Sequence, residues 1–375
     1  MTNYRRVRNA GLWTALVVLL AGAVWQTSDG QSTGPVLGPY VQAVTDSGAV
    51  VCWATRGEKE GTFRHHRKAL RDLRPDSEVS YDIPGVGSGV FRTAPSKFRP
   101  FTFAVYGDPR DGHDVHRAHI ERMQEIKPAL LLSNGDLVRT GSVAEQWVTY
   151  FEIAGGLMRS VPHFPAIGDH EGYSQHYFDF FELPGNELWY SFDWAGCHFV
   201  ALDSKVPEEH RMPSNATRDE AVTWRDQLEK RWQEQMRWLR GDLYDHRDAP
   251  YTFAYFHHAW RTTAESESRQ DTARRLRDRF GYVFRDFNVT VFNGHDHLYH
   301  HVNDGVPFVT TGGGGVAVGQ PQRTTDKTVK ALGAHHFLRV DVGEAGLTVS
   351  AIGPKGELLD RFEVPRKKKA HDEAK

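Results

Sequence analysis

Two cysteines in 375 residues are too few for a disulfide framework or a thiolate cluster. Cys52 and Cys197 lie in separate stretches beside apolar residues and read as buried free thiols. Charge of one sign is scarce too. The 46 basic and 48 acidic side chains leave a formal net charge of −2, so nothing in the balance points to nucleic acid. The apolar stretch 12–25 falls short of the roughly 20 residues that a bilayer span needs. It follows Arg5, Arg6 and Arg8 and contains Ala21-Gly22-Ala23, the arrangement of a secretory signal peptide. An uncleaved signal anchor is the alternative, and only then does the chain touch a membrane. No internal repeat is visible.

Histidine is abundant, at 20 residues. Five short patches gather histidine and aspartate, most of them at glycine turns. In order they are Gly107-Asp108, Asn134-Gly135-Asp136, Gly168-Asp169-His170-Glu171, His257-His258 and Gly294-His295-Asp296-His297. Most follow short apolar runs, at 101–106, 129–132, 161–167, 251–256 and 289–292, which read as buried strands. A single Gly-Asp is an ordinary turn. Five strand-end loops that each offer Asp or His can assemble oxygen and imidazole ligands for more than one divalent metal.

Residues 34–97 show short β runs at 50–53, 79–81 and 89–93, separated by turn residues. From residue 98 strands alternate with helical patterns. Ile120, Met123 and Ile126 mark one helix over 115–126. Val143, Trp147, Phe151 and Ala154 mark a second over 143–157. A long third runs over 221–243, and a fourth over 272–284 is basic outside and apolar inside. Late runs at 336–342, 347–352 and 358–364 read as an antiparallel meander. Alternating strands and helices with interleaved hairpins argue for an α/β sandwich of two mixed sheets. The end, 366–375, is charged and reads as a disordered tail.

The five patches and their order resemble the calcineurin-like metallophosphoesterase superfamily, and more narrowly its purple acid phosphatase-like branch. The resemblance extends to Tyr190-Ser191-Phe192-Asp193, Ala195-Gly196, the run from His198 to Asp203, Gln235-Met236-Arg237-Trp238-Leu239 and the glycine run 312–315. It implies a four-layer α/β sandwich of two mixed β-sheets over 98–365, a small fibronectin-III-like β-sandwich over 34–97, and a leader over 1–33. It also implies two divalent or trivalent metal ions, Fe, Mn or Zn, which suit mixed carboxylate and imidazole ligands. Asp136 matches the bridging carboxylate, Asp108 and His297 match ligands of the first ion, His257 and His295 match ligands of the second, and Asp169 stands at a further ligand position. His170 matches the catalytic histidine, as acid or phosphate-binding group, with Glu171 placed to orient it. The activity implied is hydrolysis of a small phosphate ester by a metal-activated hydroxide in an exported protein.

Three departures stand out. Asp169 replaces the usual asparagine ligand. Arg110 stands in the place of the first-motif histidine seen in many members, and Arg139 in that of the tyrosine that makes purple acid phosphatases purple, so no such colour is expected. The first ion then lacks ligands that His116, or His113, could supply. Arg110 is expected to contact the phosphoryl group. The departures keep open a second reading, a metal- and phosphate-binding module with lost catalysis. Within the enzyme reading, a phosphodiesterase is the alternative to a phosphomonoesterase.

Overall fold

Runs of apolar residues too short for helices form two central sheets. The computed structural model describes residues 37–205 and 218–367. The leader lies outside the described residues. In the first sheet β6 (Phe101–Tyr106), β7 (Leu131–Ser133) and β8 (His163–Pro165) run parallel. The meander β16 (Phe337–Val342), β17 (Gly346–Ile352) and β18 (Leu358–Pro365) adds antiparallel strands on the free edge of β6, giving the order β18-β17-β16-β6-β7-β8. The second sheet holds β9 (Tyr190–Trp194), β10 (Cys197–Ala201), β11 (Thr252–Phe256), β12 (Val289–Asn293), β13 (Tyr299–Asn303), β14 (Pro307–Thr311) and β15 (Thr328–Leu332). Its order is β15-β13-β14-β12-β11-β10-β9, with β10, β11, β12 and β14 parallel.

Side-chain alternation along β10 and β11 explains why both faces are covered. Phe199, Ala201, Phe253 and Tyr255 point into a core shared with Phe103 of β6. The ring centroids of Phe103 lie 5.4 Å from Phe199 and 5.0 Å from Phe253. Val200, Leu202, Ala254 and Phe256 form another core with Trp232 and Leu239 of α4 (Arg218–Asp245) and Leu276 and Phe280 of α5 (Glu267–Asp286). A strand with period 2 that is apolar on both faces must be sandwiched. Each fully buried Phe contributes about 1.5–3 kcal/mol. On the other side α1 (His113–Ile126) and α2 (Ala144–Met158) bury Met123, Trp147 and Phe151 in the core of the six-stranded sheet. The result is the expected helix–sheet–sheet–helix layering.

The N-terminal strands are β1 (Leu37–Gln42), β2 (Ala49–Arg56) and β3 (Phe63–Leu70) in one antiparallel sheet, with β4 (Glu78–Ile83) and β5 (Gly87–Arg92) as a hairpin. Among the described residues these are five strands, fewer than a seven-stranded sandwich. Their apolar side chains are continuous with the main core. The Tyr40 hydroxyl donates at 2.7 Å to the carbonyl of Phe180, the last residue of the short helix α3 (Gln175–Phe180), and Tyr81 donates to that of Arg159 at 2.9 Å. Arg56 pairs with Glu145 and Arg67 with Glu182. The N-terminal segment therefore packs as part of one body with the two central sheets and their helices.

Cys52 and Cys197 are buried and free, as the sequence suggests. The tail begins later than expected. Arg366 donates to the Glu344 carbonyl and lies over Phe98, and Lys367 Nζ donates to Thr252 Oγ1 at 2.6 Å. These contacts fix the start of the segment, and residues 368–375 lie outside the described residues.

Candidate metal centre

Ligand sites in open α/β sheets lie beyond the carboxyl ends of parallel strands. Here β6, β7, β8, β11 and β12 end in the loops that carry Asp108, Asp136, Asp169, His257 and His295. Three of these residues have left-handed backbone: Asp108 at φ 58°, Asp136 at 56° and His295 at 67°. Strain of this kind persists where the surroundings over-determine it, and it clusters at functional sites. Glycines let the loops touch. A Cβ on Gly135 would lie 2.5 Å from the Gly168 amide nitrogen, so the Asp136 and Asp169 loops pack backbone to backbone.

Four side chains converge on one position. His257 Nε2 lies 2.7 Å from Asp169 Oδ1 and 3.3 Å from Asp136 Oδ1. His295 Nδ1 lies 3.3 Å from both Asp169 Oδ1 and His257 Nε2. The His257 Nδ1–H donates to the Asn134 carbonyl at 2.7 Å, which fixes the tautomer and turns Nε2 toward the carboxylates. The neighbouring His258 has Nδ1 3.0 Å from Ser204 Oγ, and its ring centroid lies 4.6 Å from that of His295. Mixed carboxylate and imidazole donors at such separations suit a transition-metal ion, so the residues fit one ion here.

The other position is arranged differently. Asp108 and His297 do approach, with His297 Nε2 3.5 Å from Asp108 Oδ1, and the His295 amide donates to Asp108 Oδ2 at 3.0 Å. The Arg110 guanidinium lies among them. Its Nε donates to Asp136 Oδ2 at 3.2 Å, its Nη2 is 3.5 Å from His297 Nε2, and its Nη1 donates to Asp111 Oδ2 at 2.7 Å. Arg110 is 9% exposed. The donors expected to contact a phosphoryl group point here at the carboxylates and His297. Arg139 is exposed, with Nε 3.7 Å from Asp111.

His116 is not brought to the centre, contrary to expectation. α1 begins at His113, which turns His116 into the core, where its ring stacks with those of Tyr106 and Tyr150. Its Nε2 is 3.5 Å from the Tyr106 hydroxyl. Burial holds its pKa well below the ordinary range, as fits a neutral core imidazole. His113 is exposed. A cavity of about 180 Å³ lined by Arg110, Asp111, His113, His116 and Arg139 lies on this side.

His170 sits at the rim, 31% exposed, with Nε2 3.8 Å from Asp136 Oδ2 and 3.9 Å from Asp169 Oδ2. Its Nδ1–H donates to the Arg139 carbonyl at 2.6 Å and its amide to Asp136 Oδ1 at 3.1 Å. The expected orienter, Glu171, does something else. Its carboxylate accepts the amides of Asp136 (2.9 Å), Gly168 (2.7 Å), Leu137 (2.7 Å) and Val138 (3.4 Å), and none of its hydrogen bonds is to His170. Glu171 braces the Asp136 loop against its own. The sequence order placed it correctly but gave no sign of those partners.

Charges follow from this packing. Burial raises Asp136 well above the usual carboxylate range, and Asp169 and Asp108 nearby add to it. Burial also opposes ionisation of Asp169 and Asp108, but the former is held low by hydrogen bonds from His257 and His295 and the latter by His297. Burial opposes charge on His257 as well, yet Asp136 and Asp169 raise it well above 6.5. His295 is lowered to about 4 by burial and by His258.

His163 and His119 make hydrogen bonds inside the core. His163 Nε2 meets Ser133 Oγ at 3.0 Å, and His119 Nδ1 meets the Gly314 carbonyl at 3.1 Å. His300 Nε2 meets Thr328 Oγ1 at 3.0 Å, and His301 stacks on Phe362 at 3.8 Å.

The sequence model of the calcineurin-like phosphoesterase family matches residues 101–299, and the chain belongs to that family. Purple acid phosphatase 21 of Arabidopsis thaliana is 24% identical over 310 residues, 74% of this chain and 65% of its own length. The chain thus spans under two thirds of the curated relatives it matches first. A purple acid phosphatase from yellow lupin (Lupinus luteus) seeds shares the fold at TM-score 0.68 and 14% identity, over 90% of this chain and 75% of the other. PhoD does so at TM-score 0.64 and 12% identity, over 92% and 94%.

Proposed function

We propose that this chain is a metal-dependent hydrolase of small phosphate esters, monoesters first, and that it is exported. The observation that carries the hydrolase reading is the convergence of Asp136, Asp169, His257 and His295 with the rim imidazole of His170 facing them. These four residues would hold an Fe, Mn or Zn ion, which when bound would supply Lewis acidity toward a phosphoryl oxygen and would lower the pKa of water. The protein's own part is positioning. The Asn134 carbonyl holds the Nδ1 proton of His257, so Nε2 faces inward. The Arg139 carbonyl does the same for His170, leaving Nε2 to bind a phosphoryl oxygen or pass a proton to the leaving oxygen. Export rests on Arg5, Arg6, Arg8 and the apolar stretch after them. The monoester preference rests on the phosphatase relatives.

Turnover of an aryl monophosphate and a bis-aryl phosphate by metal-loaded protein tests the reading. Monoester cleavage supports it, preference for the diester assigns a phosphodiesterase, and phosphate binding without cleavage of either leaves a binding module. The position of Arg110 favours that last alternative. A second ion on the Asp108–His297 side, implied by the family resemblance, is the reading that the same arginine opposes.

A further inference from the structure

We propose that this centre holds one metal ion, on the Asp169–His257–His295 side, and that the Arg110 guanidinium stands where a second ion would otherwise lie. The inference rests on reading the pocket as a metallophosphoesterase centre, and it concerns the number of ions rather than the reaction.

Four observations lead there. By the family resemblance Arg110 takes the place of a histidine ligand and Arg139 that of a tyrosine ligand, so the first position lacks two donors that the resemblance implies. A guanidinium carries five N–H donors and no lone pair, and cannot ligate a cation. Its Nε and Nη2 address Asp136 Oδ2 and His297 Nε2, atoms that an ion in that position would need. Arg110 is also not free to swing out: it is nearly buried, and Asp111 Oδ2 holds its Nη1 at 2.7 Å.

Electrostatic repulsion agrees. Placing an ion within about 4 Å of a buried guanidinium is repulsive by several kcal/mol even at an effective dielectric of 20. The same guanidinium would fix a positive charge beside the Asp136 carboxylate across the ordinary pH range.

The test is metal content per chain. Full-length wild-type protein is purified without chelator, then stripped and reloaded with excess Mn²⁺, and ions per chain are counted by elemental mass spectrometry. Electron paramagnetic resonance reports whether the Mn²⁺ is isolated or exchange-coupled. We expect one ion per wild-type chain with an isolated signal. Arg110→His, which removes the guanidinium and restores an imidazole, is expected to take two, with a coupled signal. Two ions in the wild type, or none, overturn the proposal. So does a single ion in both Arg110→His and Arg110→Ala once circular dichroism shows both folded. Ester turnover is measured on the same samples. One ion with no turnover leaves this inference standing and removes the phosphoesterase reading, while two ions with turnover do the reverse.

Discussion

Glu171→Gln separates bracing from chemistry. The substitution keeps the shape and turns one carboxylate oxygen into an amide. In its better orientation the NH₂ faces the Leu137 and Val138 amides, so the 2.7 Å bond from Leu137 is lost while Asp136 and Gly168 keep theirs. A hydrogen bond to a charged group contributes about 1.5–3 kcal/mol, and a buried donor left unpaired costs about 1–3 kcal/mol. These overlap, and we expect a loss of about 2–4 kcal/mol against a total stability that is on the order of 5–15 kcal/mol. The assay is urea unfolding of the metal-free protein, with metal content and turnover per bound ion measured alongside. The unfolding midpoint and the metal affinity should both fall, because the Asp136 and Asp169 loops loosen together, while turnover per bound ion changes only a few-fold. An unchanged midpoint and full metal content, with turnover per ion down about a hundred-fold, would refute the bracing role and return Glu171 to the chemistry of His170.

The other predictions concern the centre and one distant cluster. His170→Ala should cut turnover by about 10²–10⁴ with metal content unchanged, and equal loss of both would reject its role in proton transfer or phosphate binding. Asp136→Asn should release metal, since its oxygens face both His257 and Arg110; full retention in elemental analysis would overturn its place as a ligand. His198 lies between Asp193 Oδ1 and Asp242 Oδ2, each at 2.8 Å, and despite burial these carboxylates raise its pKa. A raised folded pKa means that the stability from His198 is complete below its unfolded value, about 6.5, and is lost as pH rises through the folded one. His198→Gln should therefore destabilise by on the order of 3 kcal/mol at pH 6 and by less at higher pH, and a pH-independent difference in melting temperature would contradict the pairing.

Much of the fold could be read from local pattern. β6 matches the apolar run 101–106 in full, and α2 follows the stripe of Val143, Trp147, Phe151 and Ala154 within a residue at each end. These are long-period or fully apolar signals that tertiary context has no reason to override. β3, Phe63–Leu70, could not be read the same way. Its sequence, Phe-Arg-His-His-Arg-Lys-Ala-Leu, is polar on both faces, and it becomes a strand because β2 offers a full ladder of backbone partners. β15 is likewise half-exposed and recruited by β13.

Local sequence was enough to set which residue types arrive at the ends of which strands, because short apolar runs followed by Gly-Asp or Gly-His specify a buried strand and a tight turn within a few neighbours. That put Asp108, Asp136, Asp169, His170, His257, His295 and His297 in strand-end loops, while the roles expected of them come from the family resemblance. Packing decided what each touches there. Helix phase sent His116 into the core. The contact of two glycines gave the Glu171 carboxylate four backbone amides from two loops. The approach of Asp111 to Arg110 turned a candidate phosphate ligand back onto Asp136 and His297. Contacts between residues far apart in the chain depend on how whole elements pack, and no local spacing encodes them.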